Sequence, residues 1–163
     1  MAFTLSSTDI APGGTIPQAQ IYNGMGYKGG NVSPALSWSG APAGTRSFAL
    51  MVHDPDAPTG SGWWHWVVYN IPPDTAALAA GAGDPNRNLM PRGAVQGRTD
   101  FGTPGYGGPA PPPGKPHRYY FRLFALQAAT LDIPADASAA VVGFTVHAQA
   151  IGEPAVLMGL FGS

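Results

Sequence analysis

A mostly β fold is what this sequence predicts, on three observations. Glycine and proline make up 41 of the 163 residues (23 and 18), and they fall between apolar runs, as in folds rich in turns. Ser47 to Asp54 is almost wholly apolar over the length of a strand, the pattern of a strand buried on both faces. Trp64 to Ile71 and Tyr119 to Leu126 are rich in aromatic and β-branched residues, and the first of them stops at Pro72-Pro73.

The remaining elements follow in chain order. Residues 3–5 and 18–22 are expected to be short strands, with Ala11-Pro12-Gly13-Gly14 turning between them. A Gly-rich stretch from Asn23 to Gly30 leads to Asn31-Val32-Ser33-Pro34, and Leu36 to Trp38 suits another short strand. Between 104 and 116, ten of 13 residues are glycine or proline, which excludes a helix or a central strand. Pro109-Ala110-Pro111-Pro112 also suits an SH3-type partner, but the stretch runs straight into His117 and a strong strand, so a stiff rim loop is expected. An Ala-rich helix is expected over about 136–151, limited by Pro154, and Val156 to Phe161 reads as a final strand. No linker or repeat divides the chain, and one domain over 1–163 is expected, long enough to bury a core without staples.

Composition narrows the function. Eight basic residues against nine acidic ones, with no basic run, make nucleic acid a poor partner. The absence of cysteine removes disulfides, a thiolate nucleophile and Cys-based zinc sites. No window reaches the roughly 18 apolar residues of a membrane span. Met1 to Ser7 has neither a basic region nor a long apolar stretch, so no signal peptide and a cytoplasmic location are expected.

Four motif matches are accidental. Gly24-Met25-Gly26-Tyr27-Lys28-Gly29 fits G-x-G-x-x-G, but Val32-Ser33-Pro34 prevents the helix a dinucleotide site needs. Asp100-Phe101-Gly102 and His117-Arg118-Tyr119 stand in the wrong order for a kinase. Pro58 and Thr59 interrupt any calcium loop begun by Asp54-Pro55-Asp56. No G-x-S-x-G elbow exists.

The informative residues stand at strand ends. Asp54 shares a face with Phe48, Leu50 and Val52 at the end of one strand, and His65 opens the next. His117 and Tyr119 share a face at the start of a third. If the first two strands form a hairpin, three strand ends present Asp54, His65, His117 and Tyr119 to one cavity, with Asp56 in the connecting loop. Two imidazoles and a phenol are hydrogen-bond donors, either imidazole can carry charge near neutral pH, and a neighbouring carboxylate fixes an imidazole's tautomer. Backbone N–H groups of Gly107 and Gly108 are expected to add donors, and Trp64, Trp66, Tyr106 and the proline loop to supply apolar walls. The set suits a phosphate-like or carboxylate anion. Singly, each residue has a plainer use: an Asp before Pro forms turns, and a His beside Trp or a lone Tyr packs in a core. His53 and His147 are read as structural.

At these residues the chain resembles the phosphatidylethanolamine-binding protein (PEBP) family, also called Raf kinase inhibitor-like proteins, in its bacterial branch. The matching segments are Asn31-Val32-Ser33-Pro34-Ala35-Leu36-Ser37-Trp38, Asp54-Pro55-Asp56-Ala57-Pro58, His65-Trp66-Val67-Val68-Tyr69-Asn70-Ile71-Pro72, Gly105 to Pro112, and Pro116-His117-Arg118-Tyr119. The resemblance implies a large antiparallel sheet packed on a smaller one, with a helix near the C-terminus. It implies an anion pocket carried by Asp54, Asp56, His65, His117 and Tyr119, with Gly107–Gly108 at its rim. It further implies binding of phosphate or phospholipid headgroups, with inhibition of a kinase or protease and a homodimer as possible extensions. Two departures stand out. The Gly24–Gly30 stretch is longer than expected, and Gln149 and Gly159-Leu160-Phe161 replace the usual His and Gly-x-Tyr.

Two alternatives use the same residues. An acid–base enzyme would take Asp54 with His117 or His65 as base and Tyr119 as acid, but no nucleophile or cofactor motif accompanies them. A metal centre from Asp54, His65 and His117 lacks any short ligand spacing. Neither a metal nor a cofactor is therefore expected.

Overall fold

The structure is a computed structural model and describes residues 2–162; Met1 and Ser163 lie outside the described residues. Eight strands and one helix succeed one another: β1 (Thr4–Ser6), β2 (Leu36–Ser39), β3 (Ser47–Asp54), β4 (Trp63–Ile71), β5 (Ala77–Leu78), β6 (Val95–Gln96), β7 (His117–Leu126), α1 (Ala139–Gln149) and β8 (Ala155–Phe161). They form two antiparallel sheets, ordered β1-β2-β5 and β6-β4-β3-β7-β8.

Three layers explain why the long strands are so apolar. Alternate residues Phe48, Leu50 and Val52 of β3, with Trp66 and Val68 of β4 and Phe121 and Leu123 of β7, meet Leu5, Leu36 and Trp38 of the small sheet. The other face of the same strands (Ala49, Met51, Val67, Phe124 and Leu126) packs beneath Val142 and Val146 of α1. A strand covered on both faces has no polar side to offer. A mostly β fold, two antiparallel sheets and a helix near the C-terminus are what the sequence predicts.

Boundaries shift for identifiable reasons. The helix begins at Ala139, because Pro134 starts a turn and the Ser138 hydroxyl accepts from the Val141 N–H as an N-cap. Residues 18–22 are not a strand. Gln18–Gln20 is a single 3₁₀ turn, and the backbone around it pairs with two loops, Asn31 N–H to Ile21 C=O and Tyr22 N–H to Pro109 C=O. β5 and β6, at two residues each, are too short to show any periodicity.

β4 is bent by two irregularities in its pairing with β3. One lies at Asn70, which takes a positive φ of 58° between the paired positions Val68 and Ile71. Its side-chain Oδ1 accepts the Leu131 N–H at 2.7 Å, tying the strand to the loop before α1. Asn70→Ala loses this bond and meets left-handed strain, and is expected to cost about 2 kcal/mol. Asn70→Asp keeps both the acceptor and the conformational tolerance, and should stay within about 0.5 kcal/mol of wild type. Urea unfolding of the two variants checks this, and equal losses would refute it.

Candidate functional site

The second irregularity builds the site. Val52 of β3 pairs with Trp66, but the next residue, His53, pairs with Trp64, leaving His65 as the extra residue of a β-bulge. Simple alternation would put His65 on the α1 side. The bulge turns it to the other face, where its ring stands 5.2 Å from that of Tyr119. Beyond the bulge, Trp64 swings to the α1 side and stacks on His53 at 4.1 Å, and Trp63 comes opposite Asp54. β7 pairs with β3 through Val52–Phe121 and His53–Tyr120, so Tyr119 and His117 fall on the face of Asp54.

Asp54, His65, His117 and Tyr119 thus line one cavity of about 190 Å³, together with Trp63, Phe101, Met25 and the proline loop from Ala110 to Pro112. Each oxygen of the buried Asp54 carboxylate accepts one hydrogen bond. Oδ2 accepts from His117 Nδ1 at 2.7 Å, and Oδ1 accepts from the Asp56 N–H at 2.8 Å. This fixes the orientation of the His117 ring and leaves its Nε2 for the cavity. His65 is buried to 4 % exposure, and its Nδ1 donates to the Gly107 carbonyl at 2.7 Å. Burial outweighs that bond and the nearby Asp54 charge, and pulls the His65 pKa down to about 4. His65 is therefore neutral at neutral pH, which corrects the expectation that either imidazole can be charged there.

Two buried donors at the cavity have no partner. Neither the Tyr119 hydroxyl nor the Trp63 Nε1–H makes a hydrogen bond among the described residues. A third such group, Trp38 Nε1, belongs to the core between the sheets. Burial, followed by the Asp54 charge, pushes the Tyr119 hydroxyl pKa far up, so it stays an O–H donor.

Other expected site residues are placed differently. The Gly107 and Gly108 N–H groups are not free, because they donate to the His65 carbonyl (2.9 Å) and to Asn31 Oδ1 (2.8 Å). Glycine is needed there because a Cβ would strike the Phe101 ring or the Gln20 carbonyl. Trp64 is not a pocket wall, for the bulge sends it to the opposite face, and Trp63 takes that place. Tyr106 lies buried beneath, its hydroxyl donating to the Gln20 carbonyl and its ring edge-on to Trp66. Asp56 sits outside the cavity at its mouth. Arg118 donates to both its oxygens at 2.8 and 2.9 Å and holds its carboxyl down to about 2. Trp63 is the residue the sequence reading missed. In Trp63-Trp64-His65-Trp66 nothing marks a bulge, so alternation alone misassigns the faces.

A larger hollow of about 680 Å³ lies on the opposite face, between α1 and the large sheet. Of the expected residues it holds only Trp64, and its His147 packs edge-on to Phe124. The smaller cavity is the candidate because it gathers the titratable groups. In its lining Thr59 is the aliphatic hydroxyl, and that hydroxyl donates to the Gly62 carbonyl. Among the described residues no three His, Asp or Glu side chains stand close enough to hold a metal ion together. No helix among them is long and apolar enough to cross a membrane.

Comparison with known proteins covers the whole of this architecture. The sequence model of the family described as phosphatidylethanolamine-binding protein matches residues 6–162. The UPF0098 protein YbhB of Escherichia coli (strain K12) is 49% identical over 152 residues, 93% of this chain and 96% of that one. The UPF0098 protein YbcL of the same organism is 48% identical over 151 residues, 92% of this chain and 82% of that one. A crystal structure of E. coli YbcL, described as a new member of the mammalian PEBP family, superposes with a TM-score of 0.96 at 44% identity, covering 100% of this chain and 99% of that one. The PEBP homologue CT736 of Chlamydia trachomatis superposes with a TM-score of 0.82 at 32% identity, covering 99% of this chain and 98% of that one.

The neutral His65 has a consequence for stability. An unfolded chain protonates this residue near pH 6.5, whereas the fold resists until about pH 4. Its contribution is complete above pH 6.5 and is lost as pH falls towards 4, by up to about 3 kcal/mol. Urea unfolding at about pH 7.5 and pH 4.5 is expected to show a clearly larger loss for wild type than for His65→Gln. Parallel losses in the two proteins would contradict the burial argument.

Proposed function

Because the chain belongs to the phosphatidylethanolamine-binding protein family, we propose that the cavity binds a small oxyanion, such as the phosphate of a phosphorylated ligand or lipid headgroup. One observation carries the reading. Two buried donors, the Tyr119 O–H and the Trp63 N–H, lack partners in rings that line the same cavity as the His117 Nε2. Buried donors without acceptors are rare and costly, and an oxyanion supplies several acceptors at once.

The dimensions agree with a headgroup-sized ligand. A cavity of about 190 Å³ falls short of the several hundred Å³ of sites for drug-sized molecules. Apolar surfaces of Phe101, Pro111 and Pro112 at the opening suit the first carbons of whatever carries the anion.

Tyr119→Phe tests the reading without disturbing the packing. It removes an unpaired buried hydroxyl, so the folded protein should gain about 1 kcal/mol in urea unfolding. Binding of inorganic phosphate or glycerophosphoethanolamine, followed by isothermal titration, should weaken about tenfold or more. Unchanged affinity in Tyr119→Phe, or no binding by wild type at millimolar ligand, would refute it.

A further inference from the structure

We propose that His65 makes the cavity selective for an oxyanion that still carries a proton, so that a phosphomonoester monoanion is bound in preference to an equally charged anion without an O–H. This rests on the oxyanion reading above and specifies the ligand it takes.

The argument is one of matching donors to acceptors. The Gly107 carbonyl 2.7 Å from Nδ1 obliges that nitrogen to carry the ring's hydrogen. In the neutral ring Nε2 is then a lone pair, and it has no partner among the described residues. Gly107 cannot drift away, because its own N–H donates back to the His65 carbonyl and the neighbouring Gly108 N–H is held by Asn31 Oδ1. The titratable groups facing the ring are Asp54 from β3 and His117 and Tyr119 from β7; Phe101 and Trp63 around it carry no charge. His53, whose positive charge would also disfavour a charged His65, lies on the far face of β3. Both Asp54 oxygens are occupied.

The cavity is therefore lined by the Tyr119 and Trp63 rings, whose O–H and N–H lack partners, and by the Nε2 atoms of His65 and His117, of which that of the neutral His65 ring is an acceptor. A bare oxyanion satisfies the donors but sets an oxygen lone pair against Nε2. A protonated one satisfies both, with its P–O–H donating to Nε2. Sites that hydrogen-bond a ligand O–H reject analogues lacking it strongly, because a buried group is left unpaired.

Methyl phosphate and methyl sulfate form the test pair. At about pH 5 the first is mainly a monoanion with one O–H, since its second ionisation lies near pH 6, and the second is a monoanion of similar shape with none. Isothermal titration should show methyl phosphate binding up to about tenfold tighter to wild type. In His65→Asn, which keeps a donor for Gly107 but lacks the outer acceptor, methyl phosphate should weaken and the ratio fall towards one. Equal binding of both ligands to wild type would overturn the selectivity while leaving the oxyanion reading intact. No binding of either would overturn both. A ratio that persists in His65→Asn would overturn the assignment to His65. Should that variant fail to fold, ¹⁵N NMR of wild-type His65 decides, with Nδ1 protonated, Nε2 bare and Nε2 shifting only with methyl phosphate. A proton found on Nε2 would overturn the proposal.

Discussion

The site depends on one extra residue in β4. Antiparallel pairing with strict alternation would place His65 beneath α1, beside His53 and away from Asp54. The bulge brings His65 and Trp66 to one face, sends Trp64 to the other and restores Trp63 opposite Asp54. Trp66 stays fully buried in the core between the sheets, so a polar residue enters the cavity at no cost to packing. The hydrogen bonds follow from this placement, since the His65 backbone and ring both reach Gly107 and thereby dock the rim loop.

The rim is stiff for the opposite reason, a lack of regular structure. Prolines and glycines from 104 to 116 exclude a strand, yet the loop is tied at separate points: Tyr22 N–H to the Pro109 carbonyl, the Tyr27 hydroxyl to the Pro111 carbonyl, and Asn31 to Gly108 and Tyr106. The Gly-rich stretch 24–30, longer than expected in the sequence, supplies one of these ties through Tyr27. Asn31 reaches the loop from a positive φ of 52°, a conformation that Asn tolerates better than most residues. Tyr27 also packs against Phe161, one of the C-terminal residues that depart from the usual ending.

Much of this was legible in the sequence. The three long strands, the helix and the placing of Asp54, His117 and Tyr119 follow from apolar runs and from residues at strand ends, whereas His65 reaches them only through the bulge. What stayed hidden was set by contacts that the local sequence does not encode. The bulge arises from how β3 and β4 register against each other, so Trp63 and Trp64 exchanged roles. The glycine pair at 107–108 signalled close approach, and the approach is real, but it is to Phe101 and Gln20 rather than to a ligand. The neutrality of His65 depends on burial by residues distant in sequence, Phe101, Gly107 and Tyr119 among them, which no spacing rule captures.

The strand order has a further implication for how the molecule comes to exist. Asp54 and His65 belong to one hairpin, whereas His117 and Tyr119 arrive on β7, which inserts between β3 and β8. Chains are made from the N-terminus, so a nascent β3–β4 hairpin carries the Asp54 carboxylate before its histidine partner has been synthesised. That carboxylate keeps the hairpin end hydrated and resists premature burial until β7 docks. Docking of β7 and the pairing of the buried Asp54 Oδ2 with His117 Nδ1 are thus the same event, and a chain truncated before His117 has an inherent reason not to collapse into a near-native form.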